Sequence, residues 1–127
     1  MSADDKSTAP ETSKPHNEEV TLDKLISMVQ SYYPEADIGL IKKAHDFSVA
    51  LHEGQKRQSG EPYIVHPLAV AGVLATMKMD VASIVTGLLH DTVEDTATTL
   101  EEIQKEFGNE IAQLVDGVTK ISAISFK

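Results

Sequence analysis

The fold is predicted most clearly by residues 80–99, DVASIVTGLLHDTVEDTATT, because they join an apolar helix to a cluster of ionisable side chains. The apolar residues recur at the three and four residue spacing of one helix face, and they are Val81, Ile84, Val85 and Leu88. Asp80 precedes them and is suited to cap the first turn. The opposite side carries small or polar residues. The stretch therefore predicts a helix with a core face and a second, polar face.

Four ionisable side chains follow within six positions, and they are His90, Asp91, Glu94 and Asp95. If the helix continues through them, residues three or four apart project toward neighbouring points. Carboxylates this close repel one another, and such a cluster normally requires a cation. Acidic residues at a helix end are more often only a solvated surface. The spacing alone leaves both interpretations open.

The composition limits the classes of protein and of site. The chain has 127 residues, enough for one domain, and 41% are hydrophobic, with no apolar run long enough to span a membrane. A net charge of −9 argues against nucleic-acid binding by this domain. Without cysteine, a metal would be held by His, Asp and Glu. The acidic, polar N-terminus does not look like a signal peptide, so we expect a cytoplasmic protein with no membrane segment.

The rest of the chain also predicts helices. Residues 1–19 are rich in Ser, Thr, Pro and acids and predict a disordered acidic tail, followed by a folded domain over residues 20–127. Five more helices are predicted, and their starts are marked by Thr21, Asp37, Pro67, Thr99 and Asn109. Residues 54–65 read as a loop. No segment alternates with period two, so the predicted fold class is all-α, a compact bundle of about six helices.

Three further histidines lie in the predicted folded domain, outside the cluster. His66 ends the loop directly before a helix predicted to be buried, which suits a metal ligand delivered from a neighbouring segment. Two imidazoles and a carboxylate would leave positions open on a divalent ion, as metal-assisted hydrolysis needs. His45 and His52 share a face of the second helix and are predicted to shape the pocket wall or the core. Tyr63 is predicted to lie between loop and core.

Three motifs carry a family resemblance. They are SGEPYIVHP at residues 59–67, LLHDTVEDT at 88–96 and LVDGVTK at 114–120. In this order and spacing, the chain from about Ala44 to Ser122 closely resembles the N-terminal HD-type hydrolase domain of the RelA/SpoT family. These long bifunctional enzymes make and degrade the alarmone (p)ppGpp of the stringent response.

The resemblance implies a metal centre and a pair of catalytic residues. His66, His90 and Asp91 would coordinate a divalent metal, which is manganese in this family. Glu94 and Asp95 would position and activate the attacking water, as general base and its partner. Reaction at the 3′ diphosphate would release pyrophosphate and leave GDP or GTP.

The resemblance also implies contacts to the guanine nucleotide. Arg57 would lie against the guanine base, a role suited to a planar guanidinium. Gln58 and Ser59 match the next two contact positions. Many relatives carry lysine where this chain has Gln58, so a charge contact to phosphate would become a hydrogen bond.

The resemblance points to a (p)ppGpp 3′-pyrophosphohydrolase, that is, a guanosine-3′,5′-bis(diphosphate) 3′-diphosphatase. Family hydrolases complete the metal shell with an aspartate from a later helix, beyond the position of Lys127, so we expect a truncated domain. Two alternatives stay open. One is a catalytically silent fragment or regulatory module of a long RelA/SpoT enzyme, and the other is an HD phosphohydrolase for another nucleotide.

Overall fold

The computed structural model describes residues 20–53, 60 and 62–125, and for residues 122–125 it describes the backbone alone. The predicted tail, residues 1–19, lies outside the described residues. None of the described helices combines the length and the apolar character needed to cross a membrane.

Seven helical segments form the described part of the chain. They are α1 Leu22–Tyr32, α2 Ile38–Leu51, α3 Val65–Thr76, α4 Val81–Leu89, α5 Thr92–Asp95, α6 Leu100–Phe107 and α7 Asn109–Ser125. α5 is a single turn of 4 residues. Residues 20–53 and 62–125 contain no strand. The predicted all-α bundle of about six helices is therefore confirmed.

Helix starts depend on local hydrogen bonds that the sequence predicts. Asp37, Asp80 and Thr99 each accept a bond from the backbone amide three residues later. The backbone amide of Thr99 in turn donates to the Glu102 carboxylate at 3.2 Å, which completes a capping box. Because free amides at a helix start must find acceptors, each such cap is worth about 1 kcal/mol.

Two predicted helix starts are wrong by one or two residues. The third helix begins at Val65 and not at Pro67. Proline is tolerated there because an amide in the first turn would have no partner within the helix. His66 consequently lies inside the first turn of α3 and does not end the loop. Asn109 is the first residue of α7 and not its cap.

α4 is the central element of the core. It packs against α2, α3 and α7, and its completely buried side chains are Ile84, Val85, Leu88 and Leu89. The face predicted to be polar is buried as well at Thr86 and Gly87. The Thr86 hydroxyl donates to the carbonyl oxygen of Ala82 at 2.7 Å, so its polar group is satisfied inside the core.

α3 is apolar on all sides but not buried on all sides. Val73 is 58% exposed and Met77 is 63% exposed. The helix packs chiefly against α1 and α4, which leaves one side open. The prediction that all of this helix is buried is therefore wrong, because composition does not show how many sides of a helix find partners.

Gly87 lets α3 and α4 approach closely. A Cβ at this position would lie 2.9 Å from the Leu74 Cδ1 atom and 3.5 Å from the Cα atom of Ala71. At Gly117, on α7, a Cβ would meet nothing within 4 Å.

The same substitution at these two glycines should therefore have opposite effects. We expect Gly87→Val to lower the free energy of unfolding by about 1–3 kcal/mol, because it overpacks the contact between α3 and α4. Gly117→Val should leave it unchanged or raise it by a few tenths, since valine is the better helix former. Urea unfolding followed by circular dichroism measures both. Equal changes at the two positions would contradict this account of the α3 and α4 contact.

Candidate metal centre

The histidine and aspartate of the central motif lie in a turn between two helices. α4 ends at Leu89, and Asp91 has φ −91° and ψ −8°, values typical of a turn. The Thr92 hydroxyl donates to the Leu89 carbonyl oxygen at 2.8 Å and satisfies an acceptor that the end of the helix leaves free. The helix therefore does not continue through the cluster, and the condition for all four side chains to share one helix face is not met.

This turn and the start of α3 bring three ligand atoms together. His66, His90 and Asp91 each offer one nitrogen or oxygen atom, and these atoms lie within 4.8 Å of one another. The Nε2 atom of His66 is 3.8 Å from Asp91 Oδ2, and the Nε2 atom of His90 is 3.0 Å from Asp91 Oδ1. Ligand atoms that share one cation at about 2.1 Å are themselves about 3 to 4 Å apart. The three side chains therefore fit a single divalent cation.

Both ring nitrogens of His90 face oxygen acceptors. Nδ1 is 2.8 Å from the carbonyl oxygen of Gly87, which can only accept, so Nδ1 carries a hydrogen. Nε2 faces an Asp91 oxygen and needs a second proton, or a cation, to bond to it. A metal ligand whose other nitrogen donates to a carbonyl is held in the correct tautomer. The motifs in the sequence did not predict this role of Gly87, although a carbonyl three residues before a histidine at a helix end is a usable signal.

The charges at the site match this arrangement. Burial alone would lower the pKa of His90, but the hydrogen bonds to Asp91 and Gly87 and the charges of Asp91 and Glu94 raise it above its usual value. Burial alone would raise the pKa of Asp91, but the hydrogen bond from His90 and the charges of His90, His66 and His52 lower it. Asp91 is therefore ionised at neutral pH and can serve as a ligand.

The two predicted catalytic carboxylates lie on α5, directly after the cluster. Glu94 and Asp95 are exposed. Glu94 is close enough to His90 for its charge to raise the pKa of that imidazole. The backbone amide of Asp95 donates to the carbonyl oxygen of Asp91 at 2.9 Å, which fixes the turn. The catalytic roles of both residues stay predictions.

The three predicted nucleotide contacts, Arg57, Gln58 and Ser59, lie outside the described residues. His52 precedes that segment and Tyr63 follows it, and their side chains are in contact. The rings of His52 and Tyr63 stack with centroids 4.8 Å apart and planes at 14°. His52 is buried, which agrees with its predicted place in the core or the pocket wall.

A cavity of about 330 Å³ lies between α3, α4 and α7 and reaches His90. Its lining includes Leu74, Thr86, His90 and Leu114. His90 therefore belongs to the group of candidate ligands and also lines a largely apolar space, where electrostatic interactions are stronger than in water.

Comparison with known proteins identifies the family. A family model described as an HD domain matches residues 44–127. A protein of Myxococcus xanthus named GTP pyrophosphokinase is 60% identical over 97 residues, which are 76% of this chain and 13% of that protein. A guanosine-3′,5′-bis(diphosphate) 3′-pyrophosphohydrolase of Aquifex aeolicus is 49% identical over 109 residues, 86% of this chain and 16% of that protein.

A third relative, the bifunctional (p)ppGpp synthase/hydrolase SpoT of Escherichia coli K12, is 43% identical over 105 residues, 83% of this chain and 15% of that protein. The chain thus spans 13–16% of the length of these three relatives. The family match and the relatives agree with the motifs around His66 and His90. The chain belongs to the HD domain family and, within it, to the RelA/SpoT group.

Proposed function

We propose that this chain carries a metal-dependent hydrolase centre that removes the 3′ diphosphate of (p)ppGpp. The products would be pyrophosphate and GDP or GTP. The observation that carries this proposal is the convergence of His66, His90 and Asp91 within 4.8 Å. Its support is the likeness to relatives named as hydrolases of this nucleotide. A free guanine nucleotide as substrate, together with a chain that has no cysteine, fits a protein of the cytoplasm.

The donor set suits a divalent metal of intermediate hardness. Two imidazoles and one carboxylate accommodate manganese, iron or zinc, and we propose Mn²⁺, the metal that the family resemblance implies. A cation held here would stabilise negative charge on a phosphate oxygen and make water easier to deprotonate. The turn at His90 and Asp91 would hold two of the ligands, and α3 would deliver the third.

Two carboxylates would handle the proton of the attacking water. Glu94 lies near His90 and is exposed, so its carboxylate can accept a proton from water at the edge of the cluster. Asp95, on the same turn, would orient that water. Arg57 would stack on the guanine base, and Gln58 and Ser59 would contact the nucleotide beside it.

Substitution of the proposed general base should lower the rate of hydrolysis without weakening metal binding. We expect Glu94→Gln to lower kcat for pyrophosphate release by about 100-fold or more, because general-base catalysis contributes 10²–10⁴-fold. Its Mn²⁺ affinity should stay close to that of the unmodified protein. His90→Ala should abolish both activity and tight Mn²⁺ binding. The matched control is Glu101→Gln, an exposed carboxylate on α6 outside the cluster.

The assay is pyrophosphate release from ppGpp in the presence of Mn²⁺. No turnover by a folded, metal-loaded sample would contradict the hydrolase proposal and favour a silent nucleotide-binding or regulatory module. Faster turnover of deoxynucleoside triphosphates than of ppGpp would favour an HD phosphohydrolase for another nucleotide.

Metal affinity should depend on pH through His90. Its pKa is raised in the metal-free protein, and a proton on Nε2 occupies the position that a cation needs. Above that pKa the nitrogen is free to bind, and below it each cation must displace a proton. We therefore expect Mn²⁺ affinity to fall as pH is lowered, by up to about tenfold per pH unit for one displaced proton.

Calorimetric titration with Mn²⁺ at about pH 8 and about pH 6, in two buffers of different ionisation enthalpy, measures the affinity and the protons released. His45→Ala serves as the control, because His45 pairs with Asp46 at 2.9 Å outside the cluster. Equal affinities across this range, without proton release, would show that no histidine nitrogen competes for the metal.

A further inference from the structure

His52 lies at the C-terminal end of α2 with its ring held in one orientation. Only 4% of the residue is exposed. The backbone amide and the Nδ1 atom of His52 both donate to the carbonyl oxygen of Ser48, at 3.1 Å and 2.9 Å. Because that oxygen can only accept, Nδ1 carries the hydrogen and the ring cannot rotate without losing the bond.

The ring of His52 stacks on the ring of Tyr63, the residue with which the turn toward α3 begins. In that turn the amide of Val65 donates to the carbonyl oxygen of Pro62 at 3.2 Å, and the amide of His66 donates to the carbonyl oxygen of Tyr63 at 3.3 Å. The stack therefore joins α2 to the short segment that sets the position of His66. It also draws together the two ends of the chain between residues 53 and 62.

A histidine is a costly choice for a position that only fills the core. The Nε2 atom of His52 is buried and has no hydrogen-bond partner in the described part of the chain. A buried polar atom without a partner costs about 1–3 kcal/mol. Leucine has a similar size and would fill the space without that cost.

We propose that His52 is a positioning residue of the metal centre, which holds Tyr63 and thereby presents the Nε2 atom of His66 to Asp91. This inference rests on the metal centre proposed above and extends it beyond the three ligands. Residues that orient ligands are commonly worth 10–100-fold in metal affinity. A residue that only fills the core would change stability and metal affinity together.

The decisive variant is His52→Leu, tested in the whole chain with Mn²⁺ alone. We expect its free energy of unfolding to stay within about 1 kcal/mol of the unmodified protein or to rise, since an unpaired polar atom is removed. Its Mn²⁺ affinity should fall at least about tenfold. The visible absorption of bound Co²⁺, which reports ligand geometry, should change as well. His45→Leu is the matched control, because it makes the same substitution on the same helix outside the stack, and it should bind Mn²⁺ normally.

Tyr63→Leu breaks the stack from the other side and should weaken Mn²⁺ binding in the same way. The double variant should bind Mn²⁺ about as tightly as the single variant with the lower affinity, because both substitutions act through one contact. Normal affinity in folded His52→Leu and Tyr63→Leu would overturn the inference and leave the metal centre intact. Failure of both variants to fold would assign the stack to stability and would also overturn it. No Mn²⁺ binding by the unmodified protein would overturn the metal centre, and this inference with it.

Discussion

The contact between His90 and Asp91 is the constraint on which the candidate site depends. Two adjacent side chains at the end of a buried helix face each other at 3.0 Å, while the other nitrogen of the imidazole is already committed to the carbonyl oxygen of Gly87. A neutral imidazole cannot satisfy both oxygens, so the site needs either a second proton or a cation. The raised pKa of His90 and the lowered pKa of Asp91 are two consequences of this one requirement.

The fold supplies the rigidity that this contact requires. α4 is buried on nearly all sides, and its end cannot shift without disturbing the core. Tight packing of α3 on α4 at Gly87 then places His66, in the first turn of α3, across from Asp91. Ligands anchored at the ends of packed helices are held more accurately than ligands on free loops. The His52 and Tyr63 stack extends the same support to the turn before His66.

The structural features predicted best from the sequence are those that depend on residues close together along the chain. The caps at Asp80 and Thr99 were predicted correctly, because a side chain and an amide three residues later satisfy each other locally. The break after Leu89 stayed undecided, since residues 90–95 have helical spacing and only the bonds made around Asp91 show the turn. The exposure of Val73 was missed, because it depends on which helices pack against α3. The pairing of His66 with Asp91 is a long-range contact that helical periodicity cannot reveal; the place of His66 before a helix made it a candidate ligand, and the family resemblance named its partners.

The proposed site requires two imidazoles and one carboxylate to share a single cation. Pulsed electron paramagnetic resonance of bound Mn²⁺, with the histidines labelled with ¹⁵N, tests it most directly. We expect hyperfine couplings from two histidine nitrogens in the unmodified protein, and from one in each of His66→Ala and His90→Ala. Coupling to no histidine nitrogen, or a spectrum that neither substitution changes, would contradict it.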